Sequence, residues 1–292
     1  MLENSSITFP AAHGFTHEAM HTTFHLRICH PEAALARDMA RECFDHLDFL
    51  ESRLSRFIDD SDISRINHLK AGETLFLSEP VHQCLLLALD AHARTGGLFD
   101  ISLGRPIRHL KSSEALPDEA ALCGVLSIHP DAPAVTCVSP GRELDLGGIG
   151  KGFALDQLCG ILQDWGAQGG LLAAGASSLL AFGPDAWPVD LAGDVESLRI
   201  ALRDEALSAS GTGIQGAHLV HPAGQAAMPS APCRRIWACA TSAAEAEIWS
   251  TALMLIEPEM ILDFTAGEAA LRAIHSERAG RIEAHFAAKP SP

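Results

Sequence analysis

Apolar side chains along the chain follow helical spacing in some segments and strand-like spacing in others. In residues 31–57 they recur every three or four positions, which predicts a helix with one buried stripe and with Pro31 near its start. The stripe consists of Leu35, Met39, Cys43, Leu47, Leu50 and Leu54. The same spacing predicts helices over residues 79–97, 151–165 and 242–256, and two glycines end the first of these three.

Shorter apolar segments predict strands, mainly in the second half of the chain. Residues 22–30 predict an early strand, and the others are expected at 73–78, 125–130, 134–139, 142–148, 170–175, 178–183, 187–192, 197–204, 235–240 and near the end. Helices and strands do not alternate regularly. This order predicts an α+β fold with mixed sheets and flanking helices rather than a ladder of βαβ units.

Domain boundaries leave little signal in this sequence. No linker rich in proline, glycine and serine divides the chain, so we expect a single domain over residues 1–292, with room for two lobes. Residues 1–18 lack a clear apolar pattern and are expected to form a flexible N-terminus.

The composition is that of a globular protein with a strong negative charge. Hydrophobic residues make up 47%, and the formal net charge of −16 argues against a nucleic-acid partner. An anionic ligand would therefore need local help from backbone N–H groups, a lysine or a metal ion. Eight cysteines without a C-x-x-C pair indicate reduced thiols of a cytoplasmic protein. Neither an export signal nor an apolar run of transmembrane length is visible, so no membrane insertion is expected.

The sequence ELDLGGIGKGFALDQL (143–158) places glycines and a lysine at the start of a predicted helix. Glycines at such a corner let a phosphate approach the backbone. A P-loop is excluded because Asp145 and Gly152 stand where it requires glycine and Ser or Thr. A dinucleotide-binding fingerprint is excluded because Phe153 stands where it requires glycine. A ligand corner and a tight turn without a ligand remain equally open on this evidence.

Two further segments carry residues suited to chemistry. In residues 95–104, Phe99 and Asp100 follow a glycine pair and could flank a planar ligand, although a buried ring and a capping carboxylate are the commoner outcome. In residues 208–224, small residues precede His218 and His221. Two histidines in a strand are more often structural than catalytic.

The predicted helix over 242–256 carries Glu247 and Thr251 four residues apart, so both lie on one face. A carboxylate and a hydroxyl are oxygen ligands suited to Mg²⁺, which shares its remaining positions with water or phosphate. For any single helix, the commoner alternative is a solvated glutamate and a threonine bonded to its own backbone.

The order of these segments resembles the ApbE family, the FAD:protein FMN transferases. The resemblance rests on AMHTTF, RLSRFIDDSDISRIN, TGGLFDISLG, LDLGGIGKGFALD, SASG, HLVHPAG and AEIWSTAL, which extend from Met20 to Leu253. In that family, FMN is moved from FAD onto a Thr or Ser hydroxyl of a target protein and AMP is released. The resemblance implies an ApbE-like, T-fold-like architecture, Mg²⁺ as cofactor, FAD as substrate and a flavin-acceptor protein as partner.

The resemblance also implies roles for particular residues of this chain. The expected flavin-nucleotide contacts are Met20, Phe57, Leu98, Phe99, Asp100, Asp145 and Lys151. The expected Mg²⁺ ligands are the backbone carbonyl of Gly148 and the side chains of Glu247 and Thr251. His218 is the expected general base.

Several positions depart from the family pattern. His21 replaces a glycine, Phe57 a tyrosine and Glu247 an aspartate, while HPAG (221–224) replaces DPxTG and AGAS (174–177) replaces a GGD/N-like turn. We expect the Gly148–Gly150 pair to give the longer Glu247 the room it needs. Two alternatives stay open beside the transferase: a non-catalytic relative that binds FAD or another nucleotide, and a pyrophosphatase that converts FAD to FMN and AMP.

Overall fold

The structure is a computed structural model that describes residues 12–112, 123–211, 220–223, 228–229, 233 and 235–287. Its strands are β1 Ala12–Ala19, β2 Thr22–Cys29, β3 Thr74–Phe76, β4 Val125–Ile128, β5 Ala134–Ser139, β6 Gly169–Ala174, β7 Ser178–Phe182, β8 Trp187–Ala192, β9 Ser197–Leu202, β10 Glu205–Gly211, β11 Arg235–Ala240, β12 Leu271–Arg278 and β13 Arg281–Ala287. Its helices are α1 Ala33–Leu54, α2 Asp62–Asn67, α3 Glu79–Arg94, α4 Gly104–Ser112, α5 Gly150–Asp164, α6 Ala243–Leu253 and α7 Ile261–Phe264.

Eight strands form one large sheet in the order β1-β2-β6-β7-β10-β11-β12-β13. A three-stranded sheet, β3-β5-β4, and a two-stranded hairpin, β8-β9, complete the strand pairing of the described residues. The pairs within these sheets are antiparallel, and the parallel contact that the described residues show is an isolated bridge between Leu103 and Glu143.

The two faces of the large sheet bury different clusters. In β11, Ile236 and Ala238 belong to the main core beside the helices, whereas Trp237 and Cys239 belong to a second cluster with the β8-β9 hairpin. This division follows from the alternation of side chains along a strand. Burial of the apolar surface on both faces stabilises the sheet against the cost of ordering the chain.

The helix predicted from the buried stripe is confirmed as α1. Met39, Cys43, Leu47 and Leu50 are fully buried in it, and Leu54 is nearly so. Seven of the eight cysteines are also buried, as their apolar surroundings indicated, and Cys123 is exposed. No helix in the described part of the chain is long and apolar enough to cross a membrane.

Two local predictions were wrong, and one strand was not predicted. Residues 12–18 belong to β1, which pairs antiparallel with β2 along its whole length instead of forming part of a flexible terminus. Most β1 side chains are exposed or half-buried, so the apolar pattern gave no signal. Residues 142–148 form a loop rather than a strand, and the segment of small residues at 205–211 forms the sheet strand β10.

Candidate active site

The glycine corner, residues 145–152, lies where the loop after β5 enters α5. This helix begins at Gly150, and its N-cap residue Ile149 makes no capping hydrogen bond through its side chain. The loop before it is fixed by Asn67 at the end of α2, whose amide Nδ2 donates to the Leu144 carbonyl at 3.0 Å. The Leu144 N–H donates back to the Asn67 Oδ1 at 2.7 Å. The segment SDISRIN and the glycine corner are therefore in direct contact.

Asp145 is held on both carboxylate oxygens. Its Oδ2 lies 3.0 Å from the Arg56 Nη1, and its Oδ1 accepts the Gly147 N–H at 2.8 Å. Both charged side chains are largely buried, with 10% of Arg56 and 13% of Asp145 exposed. The same guanidinium donates to the Gly104 carbonyl at 2.9 Å. The Arg56–Asp145 pair therefore connects the end of α1, the start of α4 and the glycine corner.

Met20 and Phe57 are brought to one rim of this corner. Met20 has a φ of 51° in the turn between β1 and β2, and its N–H donates to the Glu51 Oε1 at 2.8 Å. The ring of the neighbouring His21 meets the Phe57 ring edge-on at 5.8 Å. Phe57 is 65% exposed and lies 5.0 Å from the Arg56 guanidinium. An aromatic face therefore remains accessible to a planar ligand at this rim.

Phe99 does not share that exposure. Only 4% of it is exposed, its N–H donates to the Thr95 Oγ1 at 3.0 Å, and its carbonyl oxygen lies 3.0 Å from the His92 Nδ1. A Cβ atom on Gly148 would lie 3.1 Å from the Phe99 ring. The ring is therefore packed under the glycine corner, while the preceding residue, Leu98, is half-buried.

The carboxylate of Asp100 is engaged locally. Its Oδ1 accepts hydrogen bonds from the Ser102 N–H at 2.8 Å and from the Ser102 Oγ at 2.7 Å. The Arg142 Nη1 lies 3.9 Å from its other oxygen. The buried ring and the capping carboxylate that the sequence offered as the commoner outcome are both present. Leu98 is half-buried, and the second Asp100 oxygen lies beside the Arg142 guanidinium.

Glu247 has the most unusual carboxylate of the site. It lies on α6 with 3% of its side chain exposed. Its Oε1 accepts from the Ser178 Oγ at 2.5 Å and lies 3.1 Å from the Lys151 Nζ. Its Oε2 is buried and has no hydrogen-bond partner. A buried carboxylate oxygen without a donor is costly, which makes it a candidate ligand for a cation.

Thr251 lies one helical turn after Glu247, and the glycine corner faces it. A Cβ atom on Gly148 would lie 3.4 Å from the Thr251 Oγ1. Ser210 of β10 lies 3.4 Å from the same oxygen and 3.0 Å from the Ser250 Oγ. The corner, the helix and β10 therefore meet around neutral oxygen atoms.

The expected role of the Gly148–Gly150 pair in making room for Glu247 stays a prediction. A Cβ atom on Gly148 would crowd neighbouring atoms, and one on Gly150 would make only an ordinary contact at 3.8 Å. The Glu247 side chain contacts the hydroxyl of Ser178 and the ammonium group of Lys151. The altered turn AGAS (174–177) directly precedes Ser178, and the sequence carries no signal that links this turn to Glu247.

A second carboxylate anchors the helix that carries Glu247. Asp156 of α5 accepts the Ala243 N–H at 2.7 Å and the Ala244 N–H at 2.9 Å, at the start of α6. Burial raises the pKa of the Asp156 carboxyl to about 6, these two N–H donors oppose the rise, and the negative charge of Glu247 adds to it.

The two helices touch at a glycine. A Cβ atom on Gly152 would lie 2.3 Å from the Ala243 carbonyl oxygen, which is far inside van der Waals contact. This close approach brings Lys151 on α5 within reach of Glu247 on α6.

A divalent cation fits the donor atoms around Glu247. The described residues contain no group of three or more His, Cys, Asp or Glu side chains suited to a metal. A cation here would therefore take one carboxylate, from Glu247, and neutral oxygens from its surroundings. That set suits Mg²⁺, which commonly uses one or two carboxylates with water and phosphate oxygens.

His218 lies outside the described residues, so its predicted role as general base stays a prediction. His221 is described, and its Nδ1 accepts the Ala223 N–H at 3.1 Å within the turn that replaces DPxTG.

Comparison with known proteins now identifies the family. The ApbE family model matches residues 20–275, and the chain therefore belongs to the ApbE family. A Klebsiella pneumoniae protein named FAD:protein FMN transferase is 24% identical over 277 residues, which cover 83% of this chain and 78% of that protein. A Chlamydia muridarum protein of the same name is 33% identical over 129 residues, or 40% of each chain.

Solved structures show the same fold. The apo form of the flavinyl transferase ApbE from Pseudomonas stutzeri superimposes with a TM-score of 0.80 at 22% identity and covers 94% of each chain. The flavin transferase ApbE from Vibrio cholerae has a TM-score of 0.79 at 18% identity and covers 94% of this chain and 97% of that one. These matches confirm the predicted family, the α+β fold and the transferase class.

Proposed function

We propose that this protein is a Mg²⁺-dependent flavin transferase that moves FMN from FAD onto a Thr or Ser hydroxyl of an acceptor protein. The observation that carries the proposal is the buried Oε2 of Glu247, which lacks a partner. Glu247 lies on the same helix face as Thr251, and Thr251 faces the glycine corner. Membership of the ApbE family supplies the substrate class.

The pyrophosphate of FAD would lie at the start of α5. Backbone N–H groups at that helix end have no capping side chain, and they carry the positive end of the helix dipole. Lys151 stands in the first turn of the same helix and is 26% exposed. In a chain with a net charge of −16, these local positive groups are what allows an anion to bind.

The flavin ring would lie at the rim formed by Met20 and Phe57. Phe57 offers an exposed ring face, and the half-buried Leu98 and Asp100 lie on the 95–104 loop. Phe99 and Asp145 would act beneath the ligand, because both are buried and engaged with the protein. They shape the corner instead of offering free hydrogen-bonding groups.

Glu247, Thr251 and the carbonyl of Gly148 would hold the Mg²⁺. When bound, the ion would neutralise charge on the pyrophosphate oxygens and favour departure of AMP. The remaining work falls to side chains of this chain. Ser178 fixes the orientation of the Glu247 carboxylate, and Lys151 supplies a positive charge beside it.

The transfer balances as a simple displacement. The acceptor hydroxyl oxygen forms a bond to the phosphorus of the FMN half, the bond from that phosphorus to the AMP oxygen breaks, and AMP leaves with the electron pair. His218 would take the hydroxyl proton as general base. A positioned base of this kind contributes roughly 10²–10⁴-fold to the rate.

The test is to incubate the protein with FAD and Mg²⁺, with and without a flavin-acceptor domain that carries the target hydroxyl. Covalent flavin fluorescence on the acceptor supports the transferase. Free FMN and AMP without an acceptor would instead indicate the pyrophosphatase, and unchanged FAD that quenches on binding would indicate a carrier. Absence of FAD binding at tens of micromolar (~10⁻⁵ M, a modest affinity) would contradict the transferase, the pyrophosphatase and the FAD carrier, and would leave a carrier of another nucleotide.

A further inference from the structure

Lys151 and Ser178 share one oxygen of Glu247 and leave the other without a donor. The ammonium nitrogen lies 3.1 Å from Oε1, and the Ser178 hydroxyl lies 2.5 Å from the same atom. Oε1 therefore has two donors and Oε2 has none, although the carboxylate is only 3% exposed. Each oxygen of a carboxylate can accept hydrogen bonds, so a buried one without a donor is unusual. The arrangement therefore keeps Oε2 available while Oε1 is neutralised.

The charge of Lys151 compensates a carboxylate that would otherwise stand alone in the interior. Among the described residues, Lys151 is the cationic side chain within 4 Å of Glu247. An isolated buried carboxylate is expensive, because it loses its hydration without gaining a counter-charge. The Lys151 ammonium group is therefore the counter-charge that the buried Glu247 carboxylate contacts.

A divalent cation at Oε2 would change this balance. The cation and the ammonium group would then lie on the two oxygens of one carboxylate, and they would repel each other at short range in a poorly solvated place. We propose that Lys151 supplies the positive charge beside Glu247 in the free protein. When the cation binds to Oε2, the ammonium group is released from Glu247. This exchange rests on the metal site of the proposed function.

The released ammonium group would meet the expected phosphate position. Lys151 is in the first turn of α5, beside backbone N–H groups without a capping side chain, and part of it already reaches solvent. Binding of the cation would thus prepare the lysine for an anion, and the two ligands would bind cooperatively. Before either arrives, the salt bridge lowers the affinity of the site for a divalent cation.

The first experiment measures Mn²⁺ binding without nucleotide, by calorimetry and by the EPR signal of free Mn²⁺. Lys151→Gln removes the competitor, and Lys70→Gln removes the same charge from an exposed side chain outside the Glu247 ion pair. We expect the Lys151→Gln protein to bind Mn²⁺ about tenfold more tightly, because a competing charge has been removed. Wild type, Lys70→Gln and the charge-preserving Lys151→Arg should bind alike.

The second experiment follows the lysine directly in the wild-type protein. An amine-acetylating reagent and mass spectrometry measure the reactivity of Lys151 with and without Mg²⁺. We expect Mg²⁺ to raise that reactivity in the wild type. The Glu247→Gln protein should show the raised level at all Mg²⁺ concentrations, since its lysine has lost its partner.

The outcomes separate the exchange from the site itself. Mn²⁺ binding that Lys151→Gln does not tighten, together with unchanged acetylation, overturns the exchange but leaves the metal site and the transferase standing. Absence of Mn²⁺ binding in every protein, including the Lys151→Arg variant, overturns the metal site as well. Thermal unfolding of each variant checks that the compared proteins are folded.

Discussion

Asp145 belongs to the glycine corner, and Glu247 contacts Lys151 of that corner, yet the surroundings of the two carboxylates differ sharply. Asp145 has a donor on each oxygen, one from Arg56 and one from the Gly147 backbone. Glu247 is more deeply buried, yet two donors meet on one oxygen and the other has none. The hydrogen bonds of Asp145 stabilise the fold, whereas Glu247 keeps one oxygen available to a ligand.

The comparison shows that burial alone does not separate a structural carboxylate from a functional one. What distinguishes the two is whether each oxygen atom has a partner. Loss of a satisfied pair costs stability, because the remaining charge stays buried. Substitution that removes a carboxylate oxygen without a partner lowers the free energy of unfolding little, and it removes a metal ligand. The predictions below test this division.

The largest effect is expected at Glu247. Glu247→Gln should abolish Mg²⁺-dependent turnover, because the amide removes the charge that a divalent cation requires. Glu247→Asp should keep partial activity, since the charge persists although the side chain is shorter. Turnover against Mg²⁺ concentration tests both proteins, with circular dichroism as the folding control. A Gln variant with unchanged Mg²⁺ dependence would place the ion elsewhere.

The next largest effect is expected at His218, which would take the proton of the acceptor hydroxyl. His218→Ala should lower transfer by roughly 10²–10⁴-fold, the usual contribution of a general base, and should leave FAD binding nearly unchanged. Single-turnover transfer and flavin fluorescence quenching measure the two quantities separately. His221→Ala is the matched control. If transfer survives the first change and fails in the second, the base is His221.

Arg56→Met tests the structural half of the comparison. It leaves Asp145 buried without its cation, so we expect the free energy of unfolding to fall by about 2–3 kcal/mol. Urea unfolding provides the measurement, and Arg37→Met on the exposed face of α1 provides the control. Equal urea midpoints of unfolding for the two variants would show that the Arg56–Asp145 pair does not contribute to stability.

The smallest effect is expected at Ser178, which touches Glu247 but no ligand. Ser178→Ala removes one of the two donors to Oε1 and should weaken Mn²⁺ binding about tenfold, as the loss of a group that orients a ligand usually does. The exposed Ser127→Ala on β4 should change nothing. Unaltered Mn²⁺ affinity in Ser178→Ala would mean that Lys151 alone orients the carboxylate.

The sequence revealed elements with strong apolar periodicity and missed those without it. The stripe of α1 was visible because its buried side chains recur at helical spacing. The strand β1 was not, since nearly all its side chains are partly exposed and its order comes from backbone pairing with β2. β10 was missed because small residues such as Ser208 and Ser210 carry little strand preference of their own.

The contacts around the candidate site were less visible in the sequence. Family resemblance indicated Glu247, Thr251 and Lys151, because their spacing along the chain carries the pattern. It gave no sign that Lys151 pairs with Glu247, nor that Ser178 and Arg56 support the two carboxylates. Such contacts join segments far apart in sequence, and only the packing of the sheet against the helices creates them.

The contact at Gly152 bears on how this chain can vary over evolutionary time. Any side chain there would collide with the Ala243 backbone and push α6 away from α5. The distance between Lys151 and Glu247 would then grow although neither residue had changed. The packing of α5 on α6 thus requires glycine at position 152, although this residue contributes no side-chain atom to binding or to chemistry. A lineage that lost the activity could accept a larger residue at this point, provided that its helices moved apart.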